Sequence, residues 1–224
     1  MSKVDIIIPV HNNFELVKRC IETILDSVTS NWSKIGQIII VDDHSTEGDL
    51  KSYLNNEDGS FFYPPAEIDS PYINFVKPPQ RSYFSAAANY GSEFVTSKFM
   101  IILNSDTKIY TKKWVTTLME EFGAEENVAI LAPGVVGYFN PEPTTDMVEF
   151  GHSMIGAACW MLETKYFRGI GKLLQHDKYI HWYSDAEFCE RVVADGKKIG
   201  RSSAYIQHWG GKSNKFVEEH IPKG

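Results

Sequence analysis

The chain has 224 residues, 43% of them hydrophobic and 23% charged, which is ordinary for a globular protein with a substantial core. No apolar run approaches the roughly 20 residues that a membrane-spanning helix needs, and the start MSKVD lacks the pattern of a secretory signal, so we expect a cytoplasmic protein. The net charge of −7 argues against binding long nucleic acids by bulk attraction, although residues 165–224 carry 11 basic and 7 acidic side chains.

The first half alternates short apolar runs, typical of strands, with stretches of helical periodicity. Strands are predicted over residues 3–10, 37–43, 72–76 and 99–106, and helices over 13–28, 48–56, 85–95 and 112–122. The Pro-, Gly- and acid-rich residues 56–71 indicate an irregular surface insertion. In the second half, strands are predicted over 128–136, 152–162 and 200–207, and a helix over 185–196.

This order predicts an α/β fold, in which helices flank both faces of a mostly parallel, Rossmann-like sheet. No linker-like segment divides the chain, so we predict a single domain. The three cysteines, Cys20, Cys159 and Cys189, have no metal-ligand spacing and cannot all pair with one another. We therefore expect reduced thiols in the core.

Polar clusters follow three of the predicted strands. Residues 9–12 read PVHN, residues 42–45 read DDHS, and residues 104–107 read NSDT. Because the carboxyl ends of parallel strands share one edge of a sheet, we expect the three clusters to meet there, where open α/β sheets bind ligands. Each cluster alone could equally cap a helix or form a turn.

The common phosphate-binding motifs are missing. No GxGxxG follows the first strand, and the GGKS at 210–213 has Ile206 where a P-loop needs its first glycine. A dehydrogenase or a P-loop enzyme is therefore not expected. A diphosphate can instead be held through a divalent cation bound by oxygen ligands at the strand ends.

Four segments in order, DIIIPVHNN, IIIVDDHST, FSAAANYG and ILNSDT, resemble the family 2 glycosyltransferases, and the resemblance continues through GAACWMLETKYF and YSDAEFCERVVADGKKI to HWGGKS. It implies a GT-A fold and an inverting hexosyl- or pentosyltransferase that takes a sugar from a nucleotide-sugar donor, with UDP as the first candidate carrier. Residues 1–110 would form the nucleotide-sugar-binding half and 111–224 the acceptor-binding half.

Site residues carried over from the resemblance fall into four groups. Asp185 would be the general base; its position at the start of a predicted helix would by itself favour an N-cap, and the resemblance favours the base. Asp106 and His208 would bind Mn²⁺ or Mg²⁺, with the imidazole favouring manganese. Gly156, Ala157 and Trp182 would contact the sugar or the acceptor. The donor site would comprise Pro9, Val10, Asn12, Asp42, Asp43, Arg81, Asn89, Asn104, Ser105 and Asp106.

Two residues depart from the pattern of the family. Asn104 stands where many relatives have the first acid of an Asp-x-Asp motif, which removes one negative charge but keeps a carbonyl ligand. Tyr83 stands where relatives often have glycine.

The acceptor is left open by the sequence. A glycan or glycoconjugate is the expected acceptor, and a hydroxylated base of viral DNA is the alternative, for which the basic residues 165–224 are suggestive. A catalytically inactive nucleotide-sugar-binding module is the alternative of a different class. A nucleotidyltransferase is disfavoured because HNNFELVKR supplies no glycine-rich loop after the first strand.

Overall fold

The computed structural model describes residues 2–27, 34–55, 72–137, 147–175 and 183–210. The insertion predicted at 56–71 lies outside these residues. The strands are β1 (Val4–Val10), β2 (Ile35–Asp42), β3 (Tyr72–Val76), β4 (Phe99–Leu103), β5 (Thr107–Ile109), β6 (Val128–Gly137), β7 (Glu149–Phe150), β8 (Cys159–Glu163) and β9 (Lys198–His208). The helices are α1 (Phe14–Ser27), α2 (Leu50–Tyr53), α3 (Tyr83–Ser92), α4 (Trp114–Ala124), α5 (Thr164–Gly169) and α6 (Ser184–Ala194).

All described strands join one sheet in the order β3-β2-β1-β4-β8-β6-β9-β5, with β7 pairing β9. Strands β1 to β4 are mutually parallel, as predicted, and β6 is parallel to β9. Strand β8 runs antiparallel to both β4 and β6, so the sheet is mixed although mostly parallel. The predicted α/β architecture is therefore confirmed.

Both faces of the sheet are covered, which explains why its strands read as continuous apolar runs. Along β1, Ile6 and Ile8 belong to a cluster with α1 and α4, whereas Ile7 belongs to a second cluster with α3, α5 and α6. On the second face, a Cβ added to Gly91 of α3 would lie 2.6 Å from Ile7 Cγ2. Helix α3 therefore packs tightly against β1, and its N-terminus lies at the carboxyl edge of the sheet.

Several elements differ from the predictions for a physical reason. The helix predicted over 48–56 is the single turn α2. The strand predicted over 152–162 is reduced to β8, because residues 154–158 line a cleft and do not pair with a strand. Strands β5 and β7 and helix α5 were not predicted. They are only two to six residues long, and the two strands depend on pairing with the distant β9.

The three cysteines are buried and unpaired, as predicted. Burial raises the pKa of Cys20 to about 12 and that of Cys189 to about 11, and it raises the pKa of Cys159 well above its ordinary value. These thiols therefore stay protonated at neutral pH and act as small core side chains. Among the described helices, none combines the length and the apolar character needed to cross a bilayer.

Candidate active site

A cleft of about 630 Å³ opens at the carboxyl edge of the sheet. Its walls come from the ends of β1, β2 and β4, from the start of α3 and α6, and from β6, β9 and the loop before β8. The three polar clusters predicted to meet at this edge each contribute to it, through Pro9 to His11, through Asp43, and through Asn104 to Asp106. The position of the cleft is the one expected for a ligand site in an open α/β sheet.

Asn104, Asp106 and His208 converge on one point of the cleft. Asp106 Oδ1 lies 3.0 Å from His208 Nε2, and Asn104 Nδ2 lies 3.1 Å from the same nitrogen. Asp106 is only 4% exposed, and the Asn104 amide oxygen is buried without a hydrogen-bond partner among the described residues. The sequence separates His208 from Asp106 by about a hundred residues, and the antiparallel pairing of β5 with β9 brings them together, with Thr107 opposite His208.

Backbone and buried side chains fix the turn that carries Asn104 and Asp106. The hydroxyl of Thr107 donates a 2.8 Å hydrogen bond to the Asn104 carbonyl, and Cys20 Sγ lies 3.3 Å from that hydroxyl oxygen. The Asn104 amide donates to the Ala158 carbonyl, and the Trp209 amide donates to the Asp106 carbonyl. The turn is therefore tied to both neighbouring strands, which preorganises its side chains.

These three side chains fit a divalent cation. Two ligand atoms that lie about 2.1 Å from a common ion and at right angles to each other are about 3 Å apart, which matches the 3.0 Å between Asp106 Oδ1 and His208 Nε2. The orphaned Asn104 oxygen is a further potential ligand. In the described ranges, no three His, Cys, Asp or Glu side chains gather into a metal site, so the protein alone would supply an incomplete shell that substrate oxygens and water complete.

Asp43 organises the Ser82–Tyr83 wall of the cleft from a buried position. The carboxylate is 3% exposed and accepts hydrogen bonds from the Ser82 amide and hydroxyl through Oδ1, and from the Tyr83 amide through Oδ2. Tyr83 has φ of 62°, a left-handed conformation that costs a non-glycine residue about 1–2 kcal/mol. This φ explains why a glycine suits the position, and the bonds to Asp43 hold the tyrosine in it.

Arg81 is positioned by the same loop. Its guanidinium carbon lies 4.9 Å from the centre of the Tyr83 ring, and both residues line the cleft. A guanidinium can stack on an aromatic face while its N–H groups form hydrogen bonds in the guanidinium plane. The departure at Tyr83 therefore gives the cleft an aromatic support for Arg81.

Asp42, Asn12 and Asn89 do not line the cleft and make structural contacts instead. Asp42 accepts a hydrogen bond from the Ser45 amide and lies 3.5 Å from Lys77 Nζ. Asn12 Oδ1 accepts from the Thr46 amide, so it links the ends of β1 and β2. The Asn89 amide group bonds both ways to the Leu173 backbone, which ties α3 to the segment after α5.

Asp185 lies in the first turn of α6 and lines the cleft. Its Oδ1 accepts a hydrogen bond from the Ala186 amide, and a Cβ added to Gly156 would lie 3.9 Å from its Oδ2. The N-cap position belongs to Tyr183, which has φ of 70°, so Asp185 is not the N-cap that its sequence position also allowed. The absence of a side chain at Gly156 leaves space directly in front of the carboxylate.

Of the remaining predicted residues, Ser105, Gly156 and Ala157 line the cleft, and Trp182 lies outside the described residues. Sequence reasoning missed Pro133 and Val135 of β6, Met154 and Ile155, and Arg201 of β9. They carry no motif. Only the strand order, in which β6 and β9 follow β8 across the sheet, brings residues of these strands to the cleft, and a local sequence pattern does not reveal that order.

The sequence profile of "Glycosyl transferase family 2" matches residues 5–182. The chain belongs to this family. The GT-A architecture predicted from the sequence is confirmed. A search of curated proteins found no significant match.

Solved structures of glycosyltransferases share the fold at low identity. The crystal structure of GalNAc-T7 with UDP, GalNAc and Mn²⁺ superposes with a TM-score of 0.71 at 12% identity, over 95% of this chain and 46% of that one. The structure of S. aureus TarS 1–349 superposes with a TM-score of 0.67 at 13% identity, over 94% of this chain and 61% of that one. The chain therefore spans about half the length of these solved structures.

Proposed function

We propose that this protein moves a sugar from a nucleoside-diphosphate sugar, with UDP as the first candidate carrier, to a hydroxyl of a glycan or glycoconjugate, with inversion at the anomeric carbon. The observation that carries the proposal is that one cleft brings the Asn104–Asp106–His208 cluster together with the carboxylate of Asp185. The cluster would bind the diphosphate through a cation, and Asp185 would act as the base. The GalNAc-T7 structure, which contains UDP and Mn²⁺, is consistent with this donor chemistry.

The donor half would consist of residues 1–110. Pro9 and Val10 would border the nucleoside, and Arg81 would pair with a phosphate oxygen across the cleft. Asp43 would act indirectly, because its carboxylate oxygens already accept bonds from Ser82 and Tyr83. The acceptor half, residues 111–224, would supply Asp185, although its His208 returns to the donor cluster through β9.

Asp106 and His208, with Asn104 beside them, would hold Mn²⁺ or Mg²⁺. When bound, the cation neutralises charge on the departing diphosphate. Asn104 in place of an acid removes one negative charge from the site, and the imidazole of His208 favours Mn²⁺ over Mg²⁺. Thr107, which bonds the Asn104 carbonyl and contacts Cys20, would fix the position of the turn that carries Asn104 and Asp106.

Asp185 would act as the base in a single displacement. Its Oδ2, which faces Gly156, would accept the proton of the acceptor hydroxyl while that oxygen bonds to the anomeric carbon. The bond between the anomeric carbon and the diphosphate breaks in the same step, and the electron pair leaves with the diphosphate. Attack opposite the leaving group inverts the configuration.

The test is turnover of a donor panel. UDP-glucose, UDP-galactose, UDP-N-acetylglucosamine, GDP-mannose and dTDP-glucose are each incubated with protein and Mn²⁺, and the released nucleoside diphosphate is measured. We expect one donor to be hydrolysed slowly without an acceptor, and proton NMR should show the inverted anomer first. An initial product with retained configuration, or no turnover of any nucleotide sugar, would contradict the proposal.

A further inference from the structure

Strand β9 contains a bulge between two regularly paired parts. Pro133 and Gly134, which are consecutive residues of β6, pair with Ser202 and Tyr205 of β9. Residues 203–204 therefore have no register partner on β6. From Tyr205 the pairing with β6 is regular again to the end of the strand, and β5 pairs along the other edge of this last part. We call residues 203–204 the β9 bulge.

The bulge determines where His208 lies. Two residues of extended chain span about 7 Å. If the pairing were regular throughout, β9 would carry His208 about 7 Å further along and out of register with Thr107 of β5. With the bulge, His208 is the register partner of Thr107, and its Nε2 lies 3.0 Å from Asp106 Oδ1. Bulges next to active sites commonly redirect a side chain in this way.

Glu121 of α4 holds the bulge with both oxygens of its carboxylate. The Ser203 hydroxyl donates to Oε1, the Ser202 hydroxyl donates to Oε2, and the Ser203 amide lies 3.3 Å from each of these oxygens. The Ala204 amide donates to the Ser202 hydroxyl oxygen at 3.1 Å. Because the bulge lies outside the regular pairing, its amides need such acceptors in place of the β6 backbone. Glu121 supplies them, directly to one amide and through Ser202 to the other.

The surroundings of the bulge leave little access for water. Ser202 is fully buried and Ala204 is 1% exposed. Ala204 belongs to the same core cluster as Leu118 and Phe122 of α4, the helix that carries Glu121. A buried amide without an acceptor is unfavourable, so loss of the Glu121 carboxylate would favour a return to regular pairing, in which strand backbone supplies the acceptors.

We propose that Glu121 is a positioning residue for the candidate metal centre, because it holds the β9 bulge and thereby sets His208 beside Asp106. This inference rests on the proposed function, since it takes His208 as a metal ligand. Glu121 is not among the described residues that line the cleft, so its effect on the centre would pass entirely through β9. It adds to the site a residue that no sequence motif indicates.

The test measures Mn²⁺ binding from the EPR signal of the free ion, which requires no turnover. Glu121→Ala should weaken binding by at least about tenfold, as observed for residues that orient a metal ligand. Glu121→Gln keeps an acceptor oxygen for the Ser203 amide and should recover most of the affinity. Glu125→Ala is the matched control, since Glu125 also joins α4 to β9, through Lys198 at the start of the strand. It should bind Mn²⁺ within about twofold of the wild type.

A double-mutant cycle separates positioning from a general loss of structure. In the His208→Ala background, Glu121→Ala should change Mn²⁺ binding by less than about twofold, because the ligand that Glu121 positions is already absent. Histidine ring NMR signals of the metal-free protein provide a readout that does not depend on the ion. Glu121→Ala should shift the signals of His208 and leave those of His44, whose ring bonds the Pro78 carbonyl, unchanged.

Three results would overturn the inference. They are unchanged Mn²⁺ affinity in Glu121→Ala, the same loss in Glu121→Ala and Glu125→Ala, and an equal effect of Glu121→Ala with and without His208. If Glu121→Ala does not fold, Ser203→Ala, which removes one donor to the carboxylate, takes its place, and unchanged affinity in that variant would overturn the inference.

A wild-type protein that binds no Mn²⁺ would count against the proposed function and not against the role of Glu121. The His208 signals then decide the inference by themselves. A shift of these signals in Glu121→Ala would support it, and unchanged signals would overturn it.

Discussion

Asp185→Asn should lower the turnover number for sugar transfer by a factor of about 10²–10⁴, because an amide of the same shape cannot take the proton of the acceptor. The binding of nucleotide should change little, since the Asp185 carboxylate lies beside Ala186 and Gly156, whereas Asp106 lies beside His208. Initial rates at saturating donor, together with a UDP titration of the same variant, measure both quantities. A large loss of turnover with intact binding is the signature of a group that acts only in the chemical step.

Glu190→Gln is the matched control, because Glu190 is an exposed acid on the same helix. It should leave turnover within about twofold of the wild type. Wild-type turnover in Asp185→Asn would place the base elsewhere. A wild-type protein that binds UDP and turns over no donor would instead support the binding-module alternative.

Asp43→Ala should destabilise the fold by about 2–3 kcal/mol, since it removes a buried acceptor and leaves the Ser82 and Tyr83 amides without their partner. It also releases the left-handed Tyr83, whose ring supports Arg81. Weaker nucleotide binding is therefore expected in addition to the lower stability. Urea unfolding with a shared slope gives the stability difference, and UDP titration of the folded variant gives the second effect.

The neighbouring acid provides the comparison for this prediction. The Asp42 side chain is 19% exposed and bonds the Ser45 amide, so Asp42→Ala should cost only about 0.5–1 kcal/mol. Equal costs for the two substitutions would contradict the role assigned to Asp43. A loss of nucleotide binding without any loss of stability would instead indicate that Asp43 contacts the nucleotide directly.

The parallel half of the sheet could be predicted because its strands are buried on both faces. Ile6, Ile7 and Ile8 are all fully buried, so no alternation is needed to recognise the strand, and the polar residues that follow must emerge at the sheet edge. The same reasoning could not give the reversed direction of β8 or the short β5. Their pairing partners are distant in sequence, so the local sequence pattern does not reveal them.

Site residues that belong to a local sequence motif could be predicted. Residues whose role depends on contacts between distant parts of the chain could not. Asp106 could be recognised because it lies just after a predicted strand, whereas its contact with His208 depends on the pairing of β5 with β9. Asp43, Asn12 and Asn89 were grouped with the donor, yet each has side-chain oxygens engaged by the backbone. Arg201 had no motif at all, because only the strand order places β9 beside β6.

The measurement that tests the account most directly is the stability of the protein with UDP, with and without Mn²⁺. At 100 times its dissociation constant, UDP should raise the free energy of unfolding by about 2.7 kcal/mol when Mn²⁺ is present. Asp106→Asn should lose this gain, whereas Glu120→Gln, an exposed acid on α4, should keep it. No Mn²⁺-dependent stabilisation of the wild type, or the same stabilisation in Asp106→Asn, would contradict the assignment of this cleft as a metal-assisted donor site.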